Sequence, residues 1–394
     1  MQRPNRPCPI CSSVDIEALH AQKFVLTEGH PLSDGYQVAA CAFCGFVYAD
    51  TVVPQEAYDR FYARHSKYED KTTGTGGVEN EWDRKRMEET ARQVADFLKE
   101  PDSSILDVGC ANGGLLKALK DLGYKNLLGI DPAPACVENT RRLGVKAEVG
   151  SLARPLDHRP FDCVILSHTL EHVQDITSAA QWVRAAMKDD AIFYIETPDA
   201  ARYVDFVDAP FQDFNTEHIN HFSIACLENF LGLHRFEPVA GGSKIIPASA
   251  NKPYPAIYWF AKKGRKQRAI KKDEILRAQI EAYIRRSRSI LNDINARLNA
   301  ALSTSRRVIV WGTGQLAMKL LAESALADAE IAAFVDSNPI HHGKILRGTR
   351  ILPPEAVREF EEPILISSTL HQQSISDQIR AMGLGNPLIL LKDS

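Results

Sequence analysis

The sequence predicts an α/β protein carrying two doubly wound parallel sheets, and three observations lead to that expectation. Short apolar runs alternate with helix-period segments through the middle of the chain, at Ser104–Val108, Leu127–Asp131, Cys163–Leu166 and Ala191–Glu196. The same alternation returns near the end, at Arg307–Gly312, Ile331–Asp336 and Pro363–Ser367. In both stretches the first run leads into a glycine-bearing turn and the second ends on an aspartate. Strands buried on both faces by crossover helices read as continuous apolar runs, so this pattern favours parallel sheets.

The N-terminal element, residues 1–70, is expected to be a zinc-binding module. Cys8, Cys11, Cys41 and Cys44 form two C-x-x-C pairs, and the two-residue spacer lets both members of a pair reach one ion. Four thiolates close a tetrahedral sphere, so the Zn²⁺ would be structural and would supply folding energy to a segment too short for its own core. Cys41-Ala42-Phe43-Cys44-Gly45 suits the turn of a zinc ribbon. An aromatic and charged tract from Tyr58 to Tyr68 follows, then a Thr- and Gly-rich loop over Thr72–Gly77. Met87, Ala91, Val94, Phe97 and Leu98 recur at helical spacing and predict an amphipathic helix over Glu81–Leu98. It opens the first α/β domain, placed at residues 80–250. A charged helical connector is expected over 262–302, and the second α/β unit over 303–394.

The formal net charge of -3 offers no basic stripe for phosphate neutralisation, so no nucleic-acid partner is expected. No apolar run reaches bilayer-spanning length and the first residues lack the apolar core of a signal peptide, so no membrane partner and a cytoplasmic location are expected. Oligomeric state is not encoded in any pattern of the chain.

The chemistry concentrates in two segments of the first domain. Asp107-Val108-Gly109-Cys110-Ala111-Asn112-Gly113-Gly114 ends a strand in an acid and a glycine turn, where backbone can approach a bulky ligand at the sheet's carboxyl edge. Eighteen residues beyond Gly113, Asp131 ends the next strand and is placed to accept from ribose hydroxyls. A nicotinamide site is the competing reading, but the turn lacks G-x-G-x-x-G spacing. The second segment, Phe214-Asn215-Thr216-Glu217-His218-Ile219-Asn220-His221-Phe222-Ser223, sets titratable groups among aromatic ones after the fifth strand. A histidine can take a proton at neutral pH and a neighbouring carboxylate can orient it, which makes His218 the candidate general base and Glu217 its support.

The stretch from Asp107 to Gly113 together with Asp131 resembles the first two binding motifs of class I S-adenosylmethionine (SAM)-dependent methyltransferases. The resemblance implies that SAM is the cofactor, held by Asp107, Gly109, Ala111, Gly113 and Asp131 with backbone at Gly109 and Ala111 meeting its methionine part, and that Ser167-His168-Thr169-Leu170-Glu171-His172-Val173 lines the methyl-transfer face, with Ser167 and His168 on the cofactor and His172 either catalytic or shaping the pocket. With the Cys pairs, the Glu217–Ser223 segment and the C-terminal unit, nearly the whole chain is similar to three-module sugar C-methyltransferases acting on nucleotide-linked keto-deoxysugars. That family has a Tyr-His-Glu-His run before a Tyr-Phe-Ser, matched here by Glu217, His218, Phe222 and Ser223. Asn215, Thr216 and His221 replace its Tyr, His and second Tyr, which removes aromatic hydroxyls; Tyr68 is the candidate for another active-site tyrosine. Asn215 and His221 are then expected on the substrate side.

In the C-terminal unit, Gly312-Thr313-Gly314-Gln315 follows a strand and opens a helix, and Asp336 ends the next strand. Read alone this is a dinucleotide fingerprint. The resemblance implies instead a Rossmann-like domain in which Gly312, Gly314, Gln315 and Asp336 hold the nucleotide of the sugar substrate. The expected function is thus SAM-dependent C-methylation of a nucleotide-linked sugar. Alternatives are sugar O-methylation, an NAD-dependent oxidoreductase or epimerase using the C-terminal fingerprint, and a non-catalytic assembly protein.

Overall fold

A computed structural model describes residues 3–64, 76–98, 100–153, 160–249 and 252–393. The chain divides into two compact units: Met1–Leu19, Val38–Phe206 and Glu217–Ile280 in the first, His20–Gln37, Val207–Thr216 and Glu281–Ser394 in the second. The N-terminal cysteines thus share a unit with the Asp107–Gly114 turn and Asp131. Among the described residues no helix is long and apolar enough to cross a membrane.

The chain begins with strands β1 (Ile16–Lys23), β2 (Gly35–Cys41) and β3 (Val47–Asp50), then helices α1 (Gln55–Arg64) and α2 (Glu81–Ala95). The first α/β domain follows as β4 (Ser104–Val108), α3 (Gly114–Asp121), β5 (Asn126–Asp131), α4 (Pro134–Arg142), β6 (Lys146–Val149), β7 (Phe161–Ser167), α5 (Ile176–Ala186) and β8 (Met187–Pro198). A short strand β9 (Asn220–His221), helix α6 (Ile224–Leu233) and the long strands β10 (Phe236–Ser249) and β11 (Lys252–Lys263) complete it. Local chemistry sets several of these boundaries. Pro134 occupies the first turn of α4, where its missing N–H has no partner to lose. Asp175 and Ser223 cap α5 and α6 by accepting from the backbone N–H groups of Ser178 and Cys226.

The described strands of this domain form a seven-stranded sheet ordered β10-β11-β8-β7-β4-β5-β6. From β8 to β6 neighbours run parallel, while β10 and β11 form an antiparallel hairpin on the β8 edge. From β4 the chain winds outward to β5 and β6, then returns to β7 on the other side. The crevice at such a reversal, above the carboxyl ends of the strands, is where open α/β sheets bind ligands. Ile105, Cys163, Ile165 and Tyr194 pack with Ala91, Val94, Leu116 and Leu119 in the core that holds this edge rigid.

Helix α7 (Leu276–Thr304) leads to β12 (Arg307–Trp311), α8 (Gln315–Glu323), β13 (Glu330–Val335), β14 (Ile345–Leu346), β15 (Thr349–Leu352), β16 (Ile364–Ile366), α9 (Gln372–Ala381) and β17 (Leu388–Ile389). Their sheet is ordered β14-β15-β13-β12-β16-β17, with β12 at the reversal, and its core gathers Ile309, Trp311, Val335, Ile364, Ile366 and Ile379. The long helix begins later than the sequence suggests. Lys262 belongs to β11, and Asp273 Oδ1 accepts from the N–H groups of Ile275 and Leu276, so the helix starts behind that cap.

Candidate functional site

The glycine turn after β4 is shaped by close approaches on two sides. Gly109 has φ +79°, and a Cβ there would lie 2.5 Å from Thr169 Oγ1. Thr169 in turn donates to the Val108 carbonyl at 3.0 Å, so the turn after β7 is fastened against the end of β4. At Gly114 a Cβ would lie 2.6 Å from the Gly77 carbonyl oxygen. Gly76 and Gly77 lie along the turn because Gly114 N–H donates to Gly76 O and the buried Asp83 carboxylate accepts from both Gly76 and Gly77 N–H groups.

Asp131 stands at the end of β5, its Oδ2 accepting from Ala111 N–H at 2.9 Å and its Oδ1 from Ala133 N–H at 2.8 Å. Burial raises its pKa to about 6, against the pull of those two N–H groups. Asp107, buried below the turn, is pushed up to about 7 by burial and then by the Asp131 charge. The crevice floor therefore carries two carboxylates that a cationic ligand would stabilise in their ionised form.

The turn Leu170–His172 brings the second group together. His172 Nδ1 lies 2.8 Å from the Tyr62 hydroxyl and 3.1 Å from the Glu217 carbonyl oxygen. A carbonyl can only accept, so the proton sits on Nδ1, and the Tyr62 hydroxyl donates to Glu217 Oε2 at 3.3 Å. The rings of His172 and His218 meet edge to face with centroids 4.8 Å apart. Ligand atoms of Glu171, His172 and His218 lie within 4.8 Å of one another. Beneath them charges alternate: Lys244 pairs with Glu196, Glu196 with His168 Nε2 at 2.9 Å, and His168 Nδ1 with Glu171 at 3.3 Å. Burial opposes a charge on His168, but Glu171 and Glu196 outweigh it and raise the imidazole pKa. Burial would raise Glu196 too, yet Lys244 and then His168 hold it far below the usual carboxylate range.

Several expected residues lie elsewhere. His221 is fully buried on β9, edge-on to Tyr203, and burial, then Arg6, depresses its pKa to about 3. Pairing of β9 with β3 turns that side chain into the core, so it cannot line a substrate surface. Ser167 ends β7, and His168 is engaged by the two carboxylates. Asn215 belongs to the second unit, its carbonyl accepting from the Tyr36 hydroxyl at 2.8 Å. Tyr68 lies outside the described residues. Tyr62, read in the sequence only as part of an aromatic tract, is the hydroxyl the cluster holds, and its signal was the spacing of an aromatic face along α1.

The four N-terminal sulfurs gather as the spacing predicts, with Cys8 and Cys44 Sγ 3.5 Å apart and Cys11 and Cys41 Sγ 3.4 Å apart. Those separations are too long for a disulfide and near the edge of about 3.8 Å that Zn–S bonds of about 2.3 Å would give a tetrahedron. In the second unit Asp336 Oδ2 accepts from both the N–H and the hydroxyl of Thr313, at 2.8 and 2.7 Å. Gln315 Nε2 donates to Thr216 Oγ1 at 2.9 Å, while its Oε1 is buried with no donor among the described residues.

The sheet order and the glycine turn accord with the α/β methyltransferase fold expected from the sequence, and residues 82–239 match the family described as "Methyltransferase domain". Residues 304–390 match a second family, "C2185-like, N-terminal". Over 274 residues the chain is 25% identical to the C-methyltransferase NovU of Streptomyces niveus, covering 63% of this chain and 61% of that protein. Over 106 residues it is 31% identical to the ubiquinone biosynthesis O-methyltransferase of Methylobacterium sp. (strain 4-46), covering 24% of this chain and 40% of the relative. The chain thus spans between 40% and 61% of the length of these two relatives. Among solved structures it is similar to a Burkholderia thailandensis 1,6-didemethyltoxoflavin-N1-methyltransferase, with TM-score 0.36, 16% identity, and coverage of 46% of this chain and 80% of that one.

Proposed function

We propose that this protein transfers the methyl group of SAM to a carbon of a nucleotide-linked keto-deoxysugar, with His218 as general base. The observation that carries the reading is the cluster of His218, His172, Glu217 and Tyr62, which sets imidazole bases and a phenol side by side. Methylation next to a ketone needs that pair of functions: a base for the α-proton and a donor for the oxygen that gains charge. Tyr62 supplies the hydroxyl that Asn215 and His221 no longer offer. The similarity to a C-methyltransferase points the same way.

The donor side fits SAM. Asp131 keeps lone pairs for ribose hydroxyls, the turn from Gly109 to Gly113 lies at the carboxyl end of β4, and Asp107 offers negative charge to a cation. Bound there, SAM would supply an activated methyl electrophile. His218 then takes the proton from the carbon beside the ketone, the Tyr62 hydroxyl turns its single proton from Glu217 Oε2 to the resulting enolate oxygen, and His172 Nδ1–H holds the phenol oxygen in place. The enolate carbon forms the new bond to the methyl carbon as the bond from that methyl to the sulfonium sulfur breaks, which restores the ketone and releases S-adenosylhomocysteine. Little beyond positioning and proton transfer is asked of the protein.

In the same reading the four cysteines hold a structural Zn²⁺. The second unit is a Rossmann-like domain whose Gly312–Gln315 turn, Asp336 and buried Gln315 Oε1 receive the nucleotide. The test offers SAM with separate pools of keto and fully hydroxylated nucleotide sugars to the zinc-loaded protein, recording S-adenosylhomocysteine and product masses. Turnover confined to keto sugars supports carbon methylation. Turnover confined to hydroxylated ones moves the acceptor to oxygen, and silence in both removes the sugar assignment.

A further inference from the structure

The geometry points to Asn220, anchored by Arg6, as a positioning residue that sets the distance between the two catalytic histidine segments. This inference rests on the base assignment above. Asn220 is 1% exposed, and its amide Nδ2 donates to Leu170 O at 3.0 Å and Val173 O at 2.7 Å. Those carbonyls bracket Glu171 and His172, whereas Asn220 itself sits two residues after His218. One side chain therefore ties the turn carrying His172 to the strand leaving His218.

The other end of the amide is also fixed. Asn220 Oδ1 accepts from Arg6 Nη2 at 2.7 Å. Arg6 is buried and held at its own backbone, its N–H donating to Asp50 Oδ1 at 2.9 Å and its carbonyl accepting from the Tyr48 hydroxyl at 3.0 Å. Main-chain bonds run alongside: Ala49 N–H to Ile219 O and Ile219 N–H to Glu171 O, both 2.9 Å. Strand β3, the turn at 170–173 and the base segment thus form one laced layer, which the Asn220 side chain joins at the two turn carbonyls and, by way of Arg6, at Asp50 and Tyr48 of β3. Arg6 lies two residues before Cys8, so the lacing extends to the cysteine cluster.

A buried amide using both donors and an acceptor has one productive orientation, and removing it leaves two carbonyls and a guanidinium without that partner. The turn and the strand then relax apart. A displacement of about 1 Å at a reacting group costs about a hundredfold in rate while leaving remote binding intact. The SAM crevice is built by β4 and β5, and the turn reaches it through Thr169, whose bond to Val108 O involves neither Asn220 nor Arg6.

The test uses the full zinc-loaded chain with 13C-labelled histidine, comparing wild type, Asn220→Ala, Asn220→Asp, Arg6→Met and Arg6→Lys. Asn220→Asp keeps the acceptor for Arg6 and removes only the donors to Leu170 and Val173. Both Asn220 variants and Arg6→Met are expected to lose about a hundredfold in kcat, to hold SAM within twofold of wild type (roughly half a kcal/mol), and to shift the His172 and His218 resonances. Arg6→Lys, which keeps a donor, recovers most of the rate. Wild-type rates with unmoved resonances would overturn the assignment. So would loss of SAM binding together with turnover in both Asn220 variants, because that is a general scaffold effect. His218→Ala run in parallel separates the two readings: if it keeps turnover the base assignment fails, while the resonances, which need no sugar substrate, still report whether Asn220 sets the geometry.

Discussion

Acidifying the protein from about pH 7.5 to about pH 5.5 is expected to weaken SAM binding by about a hundredfold, through Asp107 and Asp131. Burial raises Asp107 to about 7 and Asp131 to about 6 in the free protein. A cationic ligand favours the ionised carboxylates, so each protonated acid must first lose its proton. For Asp107 the bound-competent fraction falls by about 25-fold across that range, and for Asp131 by about fourfold. The contribution of Asp107 to the stability of the ligand-free protein should move the other way. Asp107 shifts from an ordinary 3.8 up to about 7, so its stabilising proton is fully in place below 3.8 and is lost as the pH rises through about 7. That difference is worth roughly 4 kcal/mol at about 1.4 kcal/mol per pKa unit, as an order of magnitude. Titration calorimetry across the range, with thermal melts with and without SAM, reads both effects. His221, kept neutral by burial, destabilises the fold over the same range, so relative to Asp107→Asn the wild-type melting temperature should rise on acidification without SAM, and the increment added by SAM should shrink. Asp107→Asn should leave only about a fourfold pH dependence in binding. Flat binding, or tighter binding at low pH, would refute the electrostatic account of this crevice.

His218→Ala should reduce turnover by about a hundredfold to ten-thousandfold with SAM affinity retained; single-turnover rates and calorimetry on the same samples decide it. Tyr62→Phe should lower kcat for a keto sugar by about tenfold or more, whereas an effect on KM alone would make the hydroxyl a binding group. Chelating the cysteine-bound metal, or Cys8→Ala, should unfold the N-terminal loops and disturb the His218 resonance through Arg6 and Asn220, so an unchanged histidine spectrum in metal-free protein would separate the two sites. Asp336→Ala should weaken a nucleotide sugar without altering SAM binding, and affinity gained by NAD in wild-type protein would favour a redox role for the second unit.

What could be seen in the chain beforehand was what is local in it. The Asp107–Gly114 turn, Asp131 and the two C-x-x-C pairs are each set by a few consecutive residues whose conformation permits few alternatives, so their spacing was enough. The β10–β11 hairpin was not visible. Strand β10 is largely half-exposed, with Val239 and Ile245 exposed and Gly241 and Gly242 inside, so it lacks the apolar continuity that marked β4 and β7. Lys244, which neutralises the buried Glu196, was lost with it. Tyr62, Arg6 and His221 were missed or misplaced for a related reason: each takes its role from a partner far along the chain. Arg6 and Asn220 are 214 positions apart, and no periodicity carries such a pairing.

The two sheets show how far a local motif can be trusted. At the end of β5, Asp131 accepts from the N–H of Ala111 in the turn after β4; at the end of β13, Asp336 accepts from the N–H of Thr313 in the turn after β12. Both turns sit where the strand order reverses, so the same backbone arrangement is built twice. The surroundings differ. Asp131 has a second buried carboxylate below it, which prepares the crevice for positive charge. Asp336 instead takes the Thr313 hydroxyl as well, so its Oδ2 already accepts twice from the protein. That leaves less of Asp336 for a ribose than Asp131 keeps, and under the proposed nucleotide role it would shift recognition in the second unit to the buried Gln315 Oε1 and the backbone at the start of α8.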